Sequence, residues 1–241
     1  MKRLFFAVAT MAALLIAQGA KAQTNLQTFY DFGSDRQHVT TTLEGFHSDN
    51  WGNTFFFIDY DYNLKNADSK VFAPSGTYME IARCLNFWQE SPLSAFSLHV
   101  EYNGGVGAFS YGAPTYTLGG YAVNSAFLAG VDWFLHSKDF KNTLNLKVLY
   151  KKFIDLAQDV PMQFTAVWGC QDIFGAKGLR FSGFADVWWE GSKCVFLSEP
   201  QLWYNVICDN FNIGGEVEIS NNFVDGEGWR VRPCLGFKWV F

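Results

Sequence analysis

From Gly228 to Phe241 the chain alternates with a period of two. Trp229, Val231, Pro233, Leu235, Phe237, Trp239 and Phe241 fall on one side of an extended segment, and Arg230, Arg232, Cys234, Gly236, Lys238 and Val240 on the other. Successive side chains of a strand point to opposite faces, so this segment predicts a strand with one apolar and one cationic face. The pattern recurs upstream. Phe56, Ile58, Tyr60 and Tyr62 alternate with Phe57, Asp59 and Asp61; Phe96, Leu98, Val100 and Tyr102 with His99 and Glu101; Phe127, Val131, Trp133 and Leu135 with Asp132 and His136. Leu144, Leu146, Val148 and Tyr150 alternate with Asn145, Lys147 and Lys151; Leu179, Phe181, Val187 and Trp189 with Arg180, Asp186 and Glu190; Phe211, Ile213, Val217 and Ile219 with Glu216 and Glu218. Nearly every ionisable group lands on the polar face. No 3.6-residue period is sustained downstream of residue 22.

Twelve strands follow, at about 25–33, 37–47, 53–63, 76–88, 95–104, 123–136, 140–153, 161–173, 178–190, 194–207, 211–223 and 228–241. Membrane-crossing strands need about 9–11 residues, so the lengths suit a bilayer. An even count puts both ends on the periplasmic side. The two longest gaps, 63–76 and 104–122, then fall outside, and the short gaps near 48–52, 137–139, 174–177 and 208–210 fall inside. Two segments break the alternation. In the fourth strand Met79 and Ile81 set a phase that turns Arg83 outward, and the opposite phase turns out Glu80; a bulge near Ala82 would bring both inside. In the tenth, Val195 and Leu197 are out of phase with Leu202, Tyr204 and Val206 across Glu199-Pro200, which predicts a second bulge, because Pro donates no ladder bond.

The polar face is the minority face. A soluble β-sandwich would instead hydrate its outer surface. A basic residue at the lipid midplane costs about 2–4 kcal/mol, which gives a physical cause for sorting charge inward. The expected fold is all-β: a twelve-stranded antiparallel transmembrane β-barrel.

Composition supports this reading. Aromatics make up 18% of the chain and there are 22 Gly; Trp, Tyr and Phe collect at bilayer interfaces. Residues 1–22 read as a signal peptide: Lys2 and Arg3, a short apolar run from Leu4 to Ala17, and Ala20-Lys21-Ala22 as the cleavage site. Residues 23–241 are then a single barrel domain in the outer membrane of a Gram-negative cell. Removing Lys2, Arg3 and Lys21 leaves 18 − 3 = 15 Lys+Arg against 23 Asp+Glu, a net charge of −8, which argues against nucleic acid as a partner. The partners expected are outer-membrane lipid and a small-molecule solute. The five cysteines lie on separate segments with no metal-type spacing, so no metal or cofactor is predicted and they read as small apolar residues.

The inward set is mixed in sign. Asp31, Glu44, Asp59, Asp61, Glu80, Glu101, Asp132, Asp186, Glu216 and Glu218 are acidic; Lys147, Lys151, Arg180, Arg230, Arg232 and Lys238 are basic. Acid–base ladders are expected where the last strand meets its neighbours, since adjacent strands lie about 4.8 Å apart. The polar face also carries Phe29, Phe55, Phe57, Phe184 and Trp188, flat surfaces on which a ring-bearing solute could stack while polar groups hold its hydroxyls. The candidate solute-contacting residues are Phe29, Phe55, Phe57, Asp59, Asp61, Glu80, Glu101, Asp132, Phe184, Asp186, Trp188, Glu216, Glu218, Arg230 and Arg232.

The stretch Trp51-Gly-Asn-Thr-Phe-Phe-Phe-Ile-Asp-Tyr-Asp-Tyr62 resembles the Trp and aromatic–Asp strand of the Tsx-like nucleoside-specific channels. Thr77-Tyr-Met-Glu-Ile-Ala-Arg83 is similar to that family's Met-Glu-Ile segment, and the closing strand is also similar. The resemblance implies a monomeric outer-membrane barrel that passes nucleosides through a narrow, aromatic-lined lumen. The chain is also similar to outer-membrane proteins of Bacteroidetes that carry no assigned substrate. Two other classes remain open. A structural or adhesive barrel would have a lumen closed by salt bridges and would work through its outer loops. A lipid-modifying barrel enzyme would need a His near one rim, but His38, His47, His99 and His136 form no triad by spacing, so no enzyme activity is expected.

Overall fold

A computed structural model describes residues 22–34, 36–62, 74–111, 117–224 and 227–241. The strands are β1 (Ala22–Asp31), β2 (Val39–Asp49), β3 (Gly52–Tyr62), β4 (Pro74–Leu85), β5 (Phe96–Tyr111), β6 (Thr117–His136) and β7 (Asn142–Phe153). They continue as β8 (Met162–Gln171), β9 (Leu179–Glu190), β10 (Lys193–Ser198), β11 (Gln201–Asn205), β12 (Phe211–Asn221) and β13 (Trp229–Val240). Each pairs antiparallel with its neighbour, and β13 bonds both β12 and β1, so the sheet closes on itself. β10 and β11 both lie between β9 and β12 and are two halves of one stave. The thirteen segments therefore make a twelve-stave antiparallel barrel, as the alternation predicted. No helix among the described residues is long and apolar enough to cross a membrane.

Closure fixes which face is inside. Opposed residues share a face, so the register carries one phase around the whole wall: Asp59 opposes Tyr78, Glu80 opposes Asn103, Glu101 opposes Leu128, and Lys147 opposes Thr165. The outward row is apolar. Ile81, Leu98, Val100, Phe127, Val131, Val148 and Phe164 are all exposed. Among the described outward strand positions, the Asp, Glu, Lys, Arg and His side chains are His47, Asp49, Arg83 and Lys152, each within two residues of a strand end. An eleven-residue strand at about 3.3 Å per residue, tilted by the usual 35–45°, gives a wall about 26–30 Å high, close to the apolar band of such barrels. Outward aromatic pairs lie toward both ends. Phe96–Trp133 and Phe211–Phe237 sit near the end where β1 begins and β13 finishes, and Tyr30–Phe32, Phe164–Trp189 and Phe196–Trp229 near the far end.

Three expectations need correction. The β3–β4 register runs unbroken past Ala82, so no bulge lies there and Arg83 does point outward. It is tolerated because β4 ends two residues later at Leu85: the guanidinium reaches Asp49 at 2.8 Å and donates to Thr54 Oγ1 at 3.0 Å, at the rim rather than the waist. The second bulge is also missing. Ser198 opposes Ala185 and Gln201 opposes Ser182, a register that skips no residue. Pro200 costs one donor, but Glu199 N–H still donates to Phe184 O (3.1 Å) and Val217 N–H to Pro200 O (3.0 Å). Gly183 makes the room: a Cβ there would sit 2.5 Å from Glu199 O, and its φ of +153° suits glycine. With phase preserved, Val195 and Leu197 face inward while Leu202 and Tyr204 face outward. Finally, 104–122 is no loop for most of its length. β5 and β6 run on to Tyr111 and from Thr117 as a hairpin, after an irregularity between Asn103 and Gly105. The other predicted long gap falls largely on 63–73, outside the described residues, as do residues 1–21 of the expected signal peptide.

Candidate functional site: the charged lumen

The inward rows meet in a narrow lumen where most side chains are partly or fully buried against one another. Along β12, β13 and β1 the predicted ladder forms. Arg232 Nη1 donates to Glu218 Oε1 at 2.6 Å, and Ser220 Oγ to the same oxygen at 2.7 Å. A cation from outside the strands joins it: Arg36, in the segment between β1 and β2, reaches back to Glu218 Oε2 (2.7 Å) and Asp31 Oδ2 (3.6 Å). Glu218 is thus clamped between two guanidiniums, the charge-assisted geometry that a buried carboxylate needs.

On β2 and β3 the carboxylates are held by neutral donors. Thr42 Oγ1 donates to Asp59 at 2.5 Å and Thr40 Oγ1 to Asp61 at 2.6 Å, with His38 Nε2 3.5 Å from Asp61. Asn25 donates to Glu44 at 2.8 Å, and Gln201 donates to Glu216 at 2.9 Å across the lumen wall. Asp59, Glu199 and Glu216, from β3, the β10–β11 joint and β12, lie within electrostatic reach of one another. Arg36 also acts on Glu199 and Lys238 on Glu216, so two cations flank this group of carboxyls.

On β4 to β7 a chain of polar contacts runs around the wall. Cys84 Sγ lies 3.4 Å from His99 Nδ1 and 3.5 Å from Asp132 Oδ2, His99 Nε2 lies 2.9 Å from Glu101 Oε2, and Asn145 donates to both Asp132 oxygens at 2.8 and 3.0 Å. Toward the far end, Lys151 Nζ donates to Gln163 at 2.8 Å and lies over the Trp188 ring at 4.4 Å. There Ala126, Leu128, Leu149, Phe153, Trp188 and Val195 form a buried apolar cluster against which Leu156, Leu197 and Phe223 pack. The far half of the lumen is narrowed by this cluster and, on another part of the wall, by the Arg36 clamp.

All fifteen candidate residues take inward places in the register, but they do not converge on one point. Phe55, Phe57 and Tyr78 make a string with centroids 6.1 and 5.9 Å apart, beside Asp59 and Glu80. Phe29 packs on Trp203 at 5.5 Å, and Lys238 Nζ lies over the Trp203 ring at 4.4 Å. Trp188 belongs to the apolar cluster, where its Nε1 donates to Glu190. Phe184 opposes Val167, Asp186 opposes Thr165, and Arg230 opposes Ser220. The sequence reading missed Arg36, Tyr78, Glu199 and Trp203 as lumen residues. Tyr78, Glu199 and Trp203 follow once strand phase is carried unbroken through Ala82 and Pro200; Arg36 has no period to betray it. Five lumen-facing polar atoms, Gln27 Oε1, His38 Nδ1, Asp186 Oδ1, Asn205 Oδ1 and Asn212 Oδ1, have no partner among the described residues, and groups of this kind need water or solute.

No curated protein matches the sequence. Among solved structures, the chain is similar to the outer membrane protein Omp33 of Acinetobacter baumannii at 10% identity and a TM-score of 0.41, over 92% of this chain and 98% of that one. It is also similar to a mutant of the Rh. blastica porin (9% identity, TM-score 0.38, 92% and 100% covered) and to OprB of Pseudomonas putida in its low-pH structure (8%, 0.40, 97% and 96%). Scores this low transfer no function. The match that reaches family level is to the model described as Domain of unknown function (DUF5020), and because it covers residues 22–241 the chain belongs to that family.

Proposed function

We propose that this protein is an outer-membrane channel for small polar solutes, with cations favoured over anions. The observation that carries the reading is the pairing of an apolar outer wall with an inner wall that demands water. The waist exposes Val, Leu, Ile and Phe side chains, while carboxylates, amides and unpartnered polar atoms line the lumen. Lipid satisfies the first surface and only water or solute satisfies the second. Cation preference follows from the inward rows, where the ten acidic side chains named above outnumber the six basic ones.

Nucleosides are the solute class this reading favours. The Phe55–Phe57–Tyr78 string offers flat rings to a base, and Asp59 and Glu80 beside it offer acceptors to ribose hydroxyls. These residues lie in the two segments that resemble the nucleoside-specific channels. The test is conductance of the folded protein in planar bilayers, with reversal potentials in a salt gradient. Small steps that favour cations and are partly blocked by adenosine or uridine are expected, and Asp59→Asn with Glu216→Gln should shift the reversal potential toward zero. Absence of conductance and of solute flux into liposomes from a folded barrel refutes the channel.

One alternative has an observation of its own. The Arg36 clamp and the apolar cluster both narrow the far half of the lumen, as a closed structural barrel would require. Silent bilayers with intact folding would favour it.

A further inference from the structure

Cys84, His99 and Asp132 come from three consecutive strands, β4, β5 and β6, and lie near the end of the barrel where β1 begins and β13 finishes. Their register explains the meeting: Cys84 opposes His99, and Asp132 opposes Ser97, one inward step along from His99. The sulfur, a ring nitrogen and a carboxylate oxygen all lie within 4.8 Å of one another, and all three residues are buried.

We propose that these three side chains form a binding site for a divalent metal of the zinc class on the lumen wall. The two edges that meet at the sulfur have the lengths of a coordination tetrahedron. With metal–sulfur and metal–nitrogen bonds of about 2.3 and 2.0–2.1 Å at tetrahedral angles, sulfur and nitrogen sit about 3.5 Å apart, and sulfur and oxygen likewise. The observed separations are 3.4 Å from Cys84 Sγ to His99 Nδ1 and 3.5 Å to Asp132 Oδ2. The thiolate and imidazole suit zinc or cobalt over magnesium or calcium.

The surrounding shell is an independent observation. A metal-bound His usually gives its other ring nitrogen to a carboxylate, which fixes ring and tautomer. His99 Nε2 is 2.9 Å from Glu101 Oε2, so its proton sits on the side away from Cys84 and Nδ1 is left free to ligate. Glu101 is itself held by Asn103 at 3.1 Å, and Asp132 is aimed by Asn145. Charge also favours a cation. Cys84 loses its proton to solvent on binding, so thiolate, Asp132 and Glu101 carry three negative charges, and Lys147, opposite Asp132, offsets one. Three protein ligands leave the fourth position for water from the lumen.

The site shares Asp132 and Glu101 with the candidate solute-contacting residues but is tested without conductance. The reduced full chain, folded in detergent micelles, is titrated with Co²⁺ and followed by absorption. Folding is checked by the heat-dependent shift in gel mobility that closed barrels show. The expected result is one equivalent of Co²⁺ with tetrahedral visible bands and a thiolate-to-cobalt charge-transfer band, displaced by Zn²⁺. Cys84→Ser should abolish the charge-transfer band. Asp132→Asn, which keeps every thiol, should weaken binding by about 100-fold or more, and Glu101→Gln by about 10–100-fold with the band retained. A folded wild type without the charge-transfer band, or a folded Cys84→Ser protein with the band unchanged through the exposed Cys194 or Cys208, would overturn the site.

Discussion

Val148 offers the sharpest test of what surrounds this barrel. It is the seventh of twelve residues in β7, at mid-height of the wall, and points outward between Val131 and Phe164. Its exposure is 50%, and those neighbours are 44% and 45% exposed. In lipid, Val148→Arg places a guanidinium at the midplane, at a cost of about 2–4 kcal/mol; that is about 30- to 700-fold in the unfolding equilibrium. Leu144→Arg, third in the same strand and on the same face, should cost only about 0–1 kcal/mol because it sits near the interface and its side chain can reach water. In an aqueous setting the Val148 change would fall within about 0.5 kcal/mol of neutral. The assay is reversible denaturant unfolding in phospholipid liposomes, followed by the fluorescence of the nine tryptophans. Equal stability of wild type and Val148→Arg in lipid, or Val148→Arg no less stable than Leu144→Arg, would refute the argument that hydrocarbon wets the outer wall.

Two further predictions concern the wall and the lumen. Gly183→Ala should destabilise the barrel by about 1–3 kcal/mol in the same assay, since the new methyl meets Glu199 O at 2.5 Å and the φ of +153° disfavours any side chain; an unchanged midpoint would show that the Pro200 joint does not depend on that space. Arg36→Ala should raise unit conductance in planar bilayers, because the side chain that reaches from the β1–β2 segment to Glu218 and Asp31 is removed from the lumen; unchanged conductance in a folded protein would remove Arg36 from the permeation path.

Much of this molecule is legible in its sequence. The alternation in β3, β5, β6, β7, β9, β12 and β13 assigned the facing of those strands, because a closed barrel with opposite media on its two sides forces a strict period of two. The Glu218–Arg232 ladder could be read in the same way, since the acids of one strand and the cations of the next had to lie side by side. Tertiary structure decided what periodicity leaves open. Phase cannot be read where apolar residues occur on both faces: Val195 and Leu197 look like lipid-facing residues, and only closure of the hydrogen-bond ladder around Pro200 turns them into the apolar cluster inside. Arg83 looks misplaced until the end of β4 puts it at the rim. Arg36 lies on a segment with no repeat, and its path into the lumen is set by the chain's return from β1 to β2. Cys84, His99 and Asp132 are 15 and 33 residues apart in sequence, and none signals a metal alone. A strand pattern fixes the direction in which a side chain points, but register and closure fix which side chain it points at, and those depend on all the staves at once.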